Sequence, residues 1–226
     1  MSVFTRSFTL GMLALGMSAP ALVAQQKPRG SGPSYVWYLG AQGGVYNFET
    51  TSQTRGWLPA AGAHTLIIAK RTGLLLQAEE VIGDDEAGAY ADDLAPLGTR
   101  TVSFNNIRRY SFALMAFPWR APVEPYFGIG GGLAHAVNPQ PLGTDGLTAE
   151  ELETVFDQTD DNSSYGFAQI VAGVQFRAGP VVVFGQYQGS TGASRGNIFV
   201  GGTHQGTAGI RISLGSSREN YDDTAR

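Results

Sequence analysis

Apolar and polar residues alternate with period two along eight stretches of the chain, at about 35–48, 62–71, 73–82, 101–117, 124–137, 164–178, 181–190 and 202–214. Turn-forming residues bound each stretch, so each reads as a β-strand. Most reach the 9–11 residues that a tilted strand needs to cross a bilayer's hydrocarbon. Helix signals are nearly absent, except that Thr148-Ala-Glu-Glu151 has capping-box spacing and predicts a short helix through Phe156. The connections sort by length. Residues 49–61, 83–100, 138–163 and 191–201 are long. Between them fall tight turns at Thr72-Gly73, Pro118–Val123 and Gly179-Pro180. Strict alternation of long and short links is what an up-and-down antiparallel barrel produces when one rim carries long loops and the other minimal turns. An even strand number returns both ends of the barrel to the short-turn rim.

Two faces can be read from the alternation. Ile210, Ile212 and Leu214 oppose Thr207, Gly209, Arg211 and Ser213. Tyr110, Phe112 and Leu114 oppose Arg109, Ser111 and Ala113, and Ile170, Val174 and Phe176 oppose Gln169, Gln175 and Arg177. Aromatic residues cluster near strand ends and aliphatic residues hold the strand centres. Tyr35, Trp37, Phe117, Trp119, Phe127 and Phe176 form an expected girdle at the short-turn end. Tyr46, Phe48, Tyr165, Phe167 and Tyr187 form a second at the long-loop end. Two girdles around an aliphatic band predict a lipid-facing outer surface, against the alternative of aromatic pairing in a soluble core. The polar residues then point inward: Gln42, Glu79, Arg109, Gln169, Gln175, Arg177, Gln186 and Arg211 are the expected lumen network. Glu79 lies on the strand next to that of Arg109 and is its expected ion-pair partner. An eight-stranded barrel has an interior just wide enough for side chains to fill, so this network reads as a plug ahead of a pore. The alternate glycines of Tyr126-Phe-Gly128-Ile-Gly130-Gly-Gly132 make room for large neighbours in that lumen. They lack the strand-turn-helix setting of a dinucleotide loop.

Composition narrows the class. Charged residues are 15% of the chain, against roughly 25% in an average soluble domain. There is no cysteine, which removes disulfides, thiolate metal sites and cysteine nucleophiles. A net charge of −4 argues against a nucleic-acid surface. Residues 1–24 carry one charge, Arg6, then an apolar run from Phe8 to Met17 and small residues at Ala19, Ala21 and Ala24. That is the pattern of an export signal, too short to span a bilayer, with expected cleavage after Ala24. Residues 25–34 read as a Pro- and Gly-containing leader, 35–214 as the barrel and 215–226 as a polar tail.

Three motifs resemble the small outer-membrane β-barrels of the OmpA/OmpX-like family. They are Trp37-Tyr-Leu-Gly40-Ala-Gln-Gly43-Gly44-Val-Tyr46-Asn-Phe48, Pro122-Val-Glu-Pro125-Tyr126-Phe-Gly128-Ile-Gly130-Gly-Gly132 and His204-Gln-Gly-Thr-Ala-Gly209-Ile-Arg211-Ile-Ser-Leu214. The resemblance implies an all-β, eight-stranded antiparallel up-and-down transmembrane barrel, monomeric, in a bacterial outer membrane with both termini periplasmic. It implies outer-membrane lipid, lipopolysaccharide and the barrel-assembly machinery as partners. The last strand departs from the family in closing at Leu214-Gly215 and not at an aromatic residue. The expected role is non-catalytic, in envelope integrity or surface interaction through the four long loops. A narrow channel, a lipid-modifying enzyme and a secreted ligand-binding barrel are the alternatives. No catalytic site is expected, because His64, His135 and His204 lack the serine two residues on that outer-membrane deacylases place on one strand face. No cofactor is expected, and no metal site, because the acidic loops lack EF-hand spacing.

Overall fold

The computed structural model describes residues 35–52, 56–84, 86–119, 121–193 and 197–214. The expected signal peptide, leader and tail lie outside these residues. Eleven strands and one helix follow in chain order: β1 (Tyr35–Thr50), β2 (Gly56–Ala69), β3 (Thr72–Val81), β4 (Glu86–Ala91), β5 (Thr99–Phe104), β6 (Ile107–Ala116), β7 (Val123–Ala136), β8 (Gln140–Pro141), α1 (Ala149–Asn162), β9 (Ser164–Ala178), β10 (Val181–Ser190) and β11 (Phe199–Ser213). Eight of them close a barrel in the order β1-β11-β10-β9-β7-β6-β3-β2, every pair antiparallel. The up-and-down barrel expected from the alternation is therefore the fold. Its stagger is set by the register. Residue by residue around the wall, Val36 leads through Ile68, Gly73, Met115, Gly128, Val171, Gln188 and Gln205 to Tyr46 of the same first strand, a shear of ten.

Several boundaries differ from the expectation. The first tight turn is Lys70-Arg71, two residues earlier than Thr72-Gly73, with Lys70 in the left-handed region at φ 54°. The second barrel strand starts at Gly56 and the last at Phe199, so the loops expected at 49–61 and 191–201 are shorter. The stretch 101–117 is two strands, broken at Asn105-Asn106, where Asn105 N donates to Val137 O at 3.3 Å and Val137 N to Asn106 O at 2.8 Å. Only its second half, β6, belongs to the barrel. The first half pairs with β4 and β8 in a separate three-stranded sheet. Residues 83–100 were expected as an acidic loop, but half of them fold as this hairpin. Its strand signal is hidden by small residues, Ala87, Gly88 and Ala89, that alternate around Glu86 and Tyr90.

This sheet and α1 form a cap on the long-loop rim. Arg100 is buried. Its Nε bonds the Asp92 carboxylate, and its Nη1 donates to the carbonyls of Leu142 at 3.2 Å and Gly143 at 2.9 Å. One guanidinium thus ties the β4–β5 hairpin to the loop after β8. The capping box at Thr148 and Glu151 is formed, and the helix it starts runs to Asn162, six residues past the expected end. Tyr90 docks the helix, its hydroxyl 3.2 Å from Val155 O and 3.0 Å from Thr159 Oγ1. Burial raises the Tyr90 pKa above the usual phenol value, which keeps that donor protonated. Thr148→Ala removes the cap hydroxyl and is expected to cost α1 about 1 kcal/mol. Hydrogen exchange should quicken in Ala149–Asn162 while the barrel amides stay protected, and faster barrel exchange would show the helix to be part of the barrel's cooperative unit.

Candidate functional site

Inside the barrel the side chains stack in layers. At the short-turn end, Val36, Tyr38, Leu66, Ile68, Leu75, Ala113, Met115, Phe117, Tyr126, Val171 and Val182 make an apolar floor. At the other end the mouth is filled by Tyr46, Phe48, Tyr165, Phe167 and Phe199, on which Tyr90, Val102, Phe104 and Ile198 of the cap regions pack. Phe199 is the hub, its ring 5.2 Å from Tyr165, 5.4 Å from Phe104 and 6.4 Å from Phe48. The long-loop mouth is therefore sealed by an aromatic cluster continuous with the cap.

That cluster corrects the expected upper girdle. Tyr46, Phe48, Tyr165 and Phe167 are all buried, as is Phe117 of the expected lower girdle. Strand parity explains it: Tyr46 lies on the Gln42 face of β1, Tyr165 and Phe167 on the Gln169 face of β9, and Phe117 continues the Ala113–Met115 face of β6. Nearness to a strand end was the wrong criterion. Tyr35, Trp37, Trp119, Phe127 and Phe176 do face outward at the short-turn end, and Tyr187 faces outward near the other. Trp57 and Tyr110, both exposed, complete the outer set.

All eight expected lumen residues point inward; six fall into two connected groups, and Gln169 and Gln186 bond elsewhere. Arg109 and Glu79 stand directly opposite across β3 and β6, with Nη1 3.3 Å from Glu79 Oε2. Glu79 Oε1 also accepts from Gln42 Nε2 at 2.5 Å and Gln205 Nε2 at 2.7 Å, and Arg109 Nη1 bonds Gln205 Oε1. The Arg109 guanidinium lies 4.8 Å from the ring centres of both Tyr46 and Phe167, so it joins the polar layer to the aromatic seal. Gln77 extends the network to Gln42 at 3.2 Å, and Ser111 to Gln77 at 3.4 Å. Nearer the short turns, Glu124 Oε2 accepts from Gln175 Nε2 at 2.6 Å and Arg177 Nη2 at 3.3 Å. Gln175 Oε1 accepts from Arg211 Nη1 at 3.3 Å. Gln186 accepts from the Tyr126 hydroxyl at 3.0 Å, and Gln169 donates to Phe112 O at 3.1 Å. The expected network left out Gln77, Glu124, Gln205 and Ser111, the last already read on the Arg109 face; Gln77 and Gln205 share strand parity with Glu79 and Arg211, and Glu124 with the inward glycines of β7. Inward glycines make the room: a Cβ on Gly132 would lie 2.7 Å from the Phe167 ring, and one on Gly173 2.6 Å from that of Tyr126.

The three histidines are dispersed. His64 is buried in the lumen against Phe184. His135 bonds Ser164 at 2.7 Å on the long-loop rim, and His204 bonds the Tyr187 hydroxyl at 2.5 Å. Ser190 engages Thr203. Among the described residues no three carboxylate or imidazole groups converge as a metal site requires.

The outer face is the second feature. In β7 the outward residues from Val123 to Leu133 carry no charge, nor do those from Tyr35 to Val45 in β1 or from Gly206 to Ile212 in β11. Outward charge begins at Glu80 and Arg108, which pair at 3.3 Å beside His135 near the long-loop rim. Ten steps of about 3.3 Å, on strands tilted by about 40°, give a belt about 25 Å tall.

No family model matches the chain, and no curated protein does. Among solved structures it is similar to the crystal structure of Neisserial surface protein A, with TM-score 0.53 and 11% identity over 78% of this chain and 96% of that one. It also aligns with the N-terminal β-barrel domain of OprF from Pseudomonas aeruginosa (TM-score 0.41, 10% identity, 77% of this chain and 97% of that one). A third match is the outer membrane protein OprG from Pseudomonas aeruginosa (TM-score 0.40, 10% identity, 82% and 98%). The fold is that of the small eight-stranded outer-membrane barrels.

Proposed function

We propose that this barrel is an integral outer-membrane protein whose lumen is a structural plug and whose cap is the working surface, acting without catalysis in envelope integrity or surface interaction. The uncharged outer belt carries this reading. Its apolar side chains, such as Leu114, Ile129 and Ile170, are each more than half exposed, and they form one row across three strands. A soluble protein rarely exposes a contiguous apolar surface beyond a few hundred Å², whereas a belt about 25 Å tall matches an outer-membrane hydrocarbon layer. With the belt in lipid, the short turns and both termini lie in the periplasm and the cap faces outward, where lipopolysaccharide surrounds it. A single closed barrel needs no partner copy, which fits a monomer inserted by the barrel-assembly machinery. The aromatic seal and the crossed ion pairs favour a plug over the narrow channel.

Cell fractionation with a gel comparing boiled and unboiled samples tests the membrane reading. The protein is expected in the outer-membrane fraction, with mobility that changes on boiling because the hydrogen-bonded barrel survives detergent. A soluble, heat-indifferent protein would overturn it. In planar bilayers the purified protein is expected to show no steady conductance, and regular single-channel steps would move the assignment to the channel.

A further inference from the structure

On the outer wall, donors without acceptors gather at one place. Glu80, Arg108, His135 and Ser164 stand side by side on β3, β6, β7 and β9, each directly opposite the next and all on the outward side. They lie one step above Ala78, Tyr110, Leu133 and Gly166, where the apolar belt ends. Both oxygens of Glu80 are engaged: Oε2 accepts from Arg108 Nε at 3.3 Å and Oε1 from Asn106 Nδ2 at 2.8 Å. The carboxylate thus holds the guanidinium by its Nε edge. Nη1 and Nη2 of Arg108 have no partner among the described residues, on a side chain 49% exposed. His135 Nδ1 takes Ser164 Oγ at 2.7 Å, with Ser163 Oγ at 3.3 Å. With the Ser164 hydroxyl donating, the ring proton stands on Nε2, which has no partner among the described residues either. Arg108 and His135 face each other across their strand pair, with Cβ atoms about 5 Å apart. A guanidinium fork beside an imidazole N–H is a donor set that suits a phosphoryl group.

Water can satisfy exposed donors, so charge and shape decide what belongs here. Among the described residues, Arg108 is the one outward Lys or Arg on the long-loop half of the wall. The cap above it exposes Asp93, Asp145, Glu150, Glu153 and Asp157. An anionic headgroup on this side therefore meets negative charge on the cap and its counter-charge at Arg108. Below the row the wall is hollow. Leu133 faces Gly166, then Gly131 faces Ala168, and Ile129 with Ile170 closes the trough. A Cβ on Gly166 would come no closer than 3.9 Å to its neighbours across the sheet. From Ser164 to Ile170 the trough runs about 20 Å, the scale of an acyl chain. We infer that this row and trough bind one phosphate-bearing lipid, with its phosphoryl group on the Arg108 fork and His135 Nε2 and one acyl chain over Gly166 and Ala168. The inference rests on the membrane reading above, because a bilayer presents phosphate and acyl chain together at the edge of the belt.

The probes are two lipids that differ in the headgroup. The full chain, folded in dodecylmaltoside micelles, is titrated with dioleoyl phosphatidic acid or dioleoyl phosphatidylcholine, and native mass spectrometry counts the lipids retained. One phosphatidic acid is expected to bind about ten-fold more tightly than phosphatidylcholine, whose choline cancels the charge. Arg108→Gln should erase that preference. Gly166→Leu fills the trough and should weaken both lipids. Arg71→Gln, a change of cation at the short-turn end, should leave the preference as it is. Inorganic phosphate at the lipid's concentration should displace nothing, because it has no chain to place. A preference that survives Arg108→Gln, follows Arg71 instead, or yields to inorganic phosphate would each overturn the assignment. Should Arg108→Gln fail to fold, Gly166→Leu decides, and unchanged lipid binding there sinks the site. Failure of the membrane reading looks different. An outer-membrane protein indifferent to the headgroup overturns this inference alone, whereas a protein that stays soluble without detergent overturns the membrane reading first.

Discussion

Glu79→Ala is expected to destabilise the folded barrel by about 3–5 kcal/mol, the largest effect of any single change in the lumen. The carboxylate is buried, and it accepts from Arg109, Gln42 and Gln205. Its removal leaves the Arg109 charge between Tyr46 and Phe167 with no counter-charge, and strips two glutamine amides of their acceptor. Most of the cost is thus the penalty of an unpaired buried cation, not the worth of the pair itself. The distinction is measurable. Glu79→Leu combined with Arg109→Met takes away both charges and keeps apolar volume, so the double variant should recover most of the loss. Urea unfolding followed by gel mobility reads both. If the double variant is as weak as Glu79→Ala, the charge argument fails and the loss lies in packing. The same comparison bears on the plug: with the aromatic seal intact, neither variant should conduct.

Strand parity made the barrel legible from sequence. Every outward residue assigned from alternation in β6, β9 and β11 that the structure describes faces outward, and Arg211, set between Ile210 and Ile212, points in. The turn-length pattern gave the topology, because Gly179-Pro180 and the prolines around 118–122 are strong local breaks. Three things were not legible. The β4–β5 hairpin hides in small and acidic residues, since its strands are held by docking on the mouth, not by their own alternation. Tyr90, Val102 and Ile198 make that docking, and Gly88 allows it, for a Cβ there would collide with Ile198 at 2.1 Å. The upper girdle was misjudged because aromatic residues at a strand end serve a lipid interface or a lumen seal equally well. Only parity separates Tyr46 from Trp57. The lumen network was found only in part: long-range partners such as Gln205 for Glu79, 126 residues apart, depend on barrel closure and a shear of ten that no local window contains.

Ile129→Arg is expected to cost about 2–4 kcal/mol and to leave much of the protein unassembled, because Ile129 sits near the middle of the outer belt with 66% of its surface exposed. Depth is the point of the prediction. Val123, at the short-turn edge of the same strand face, should tolerate arginine at about 0–1 kcal/mol, since its side chain reaches the interface. Leu97, at the tip of the β4–β5 hairpin and almost fully exposed, should tolerate arginine with no change in assembly. In water the three positions would behave alike: each is solvent-exposed, each substitution adds one charge, and none disturbs the lumen. A membrane grades them by distance from its midplane. Folding into lipid vesicles, scored by the mobility shift and by urea titration, gives the order directly. An order of Ile129 far weaker than Val123, with Val123 close to Leu97, requires hydrocarbon around the belt. Equal tolerance at all three sites would place the belt in water and return the barrel to a soluble reading, in which the apolar exterior must be covered by something other than lipid.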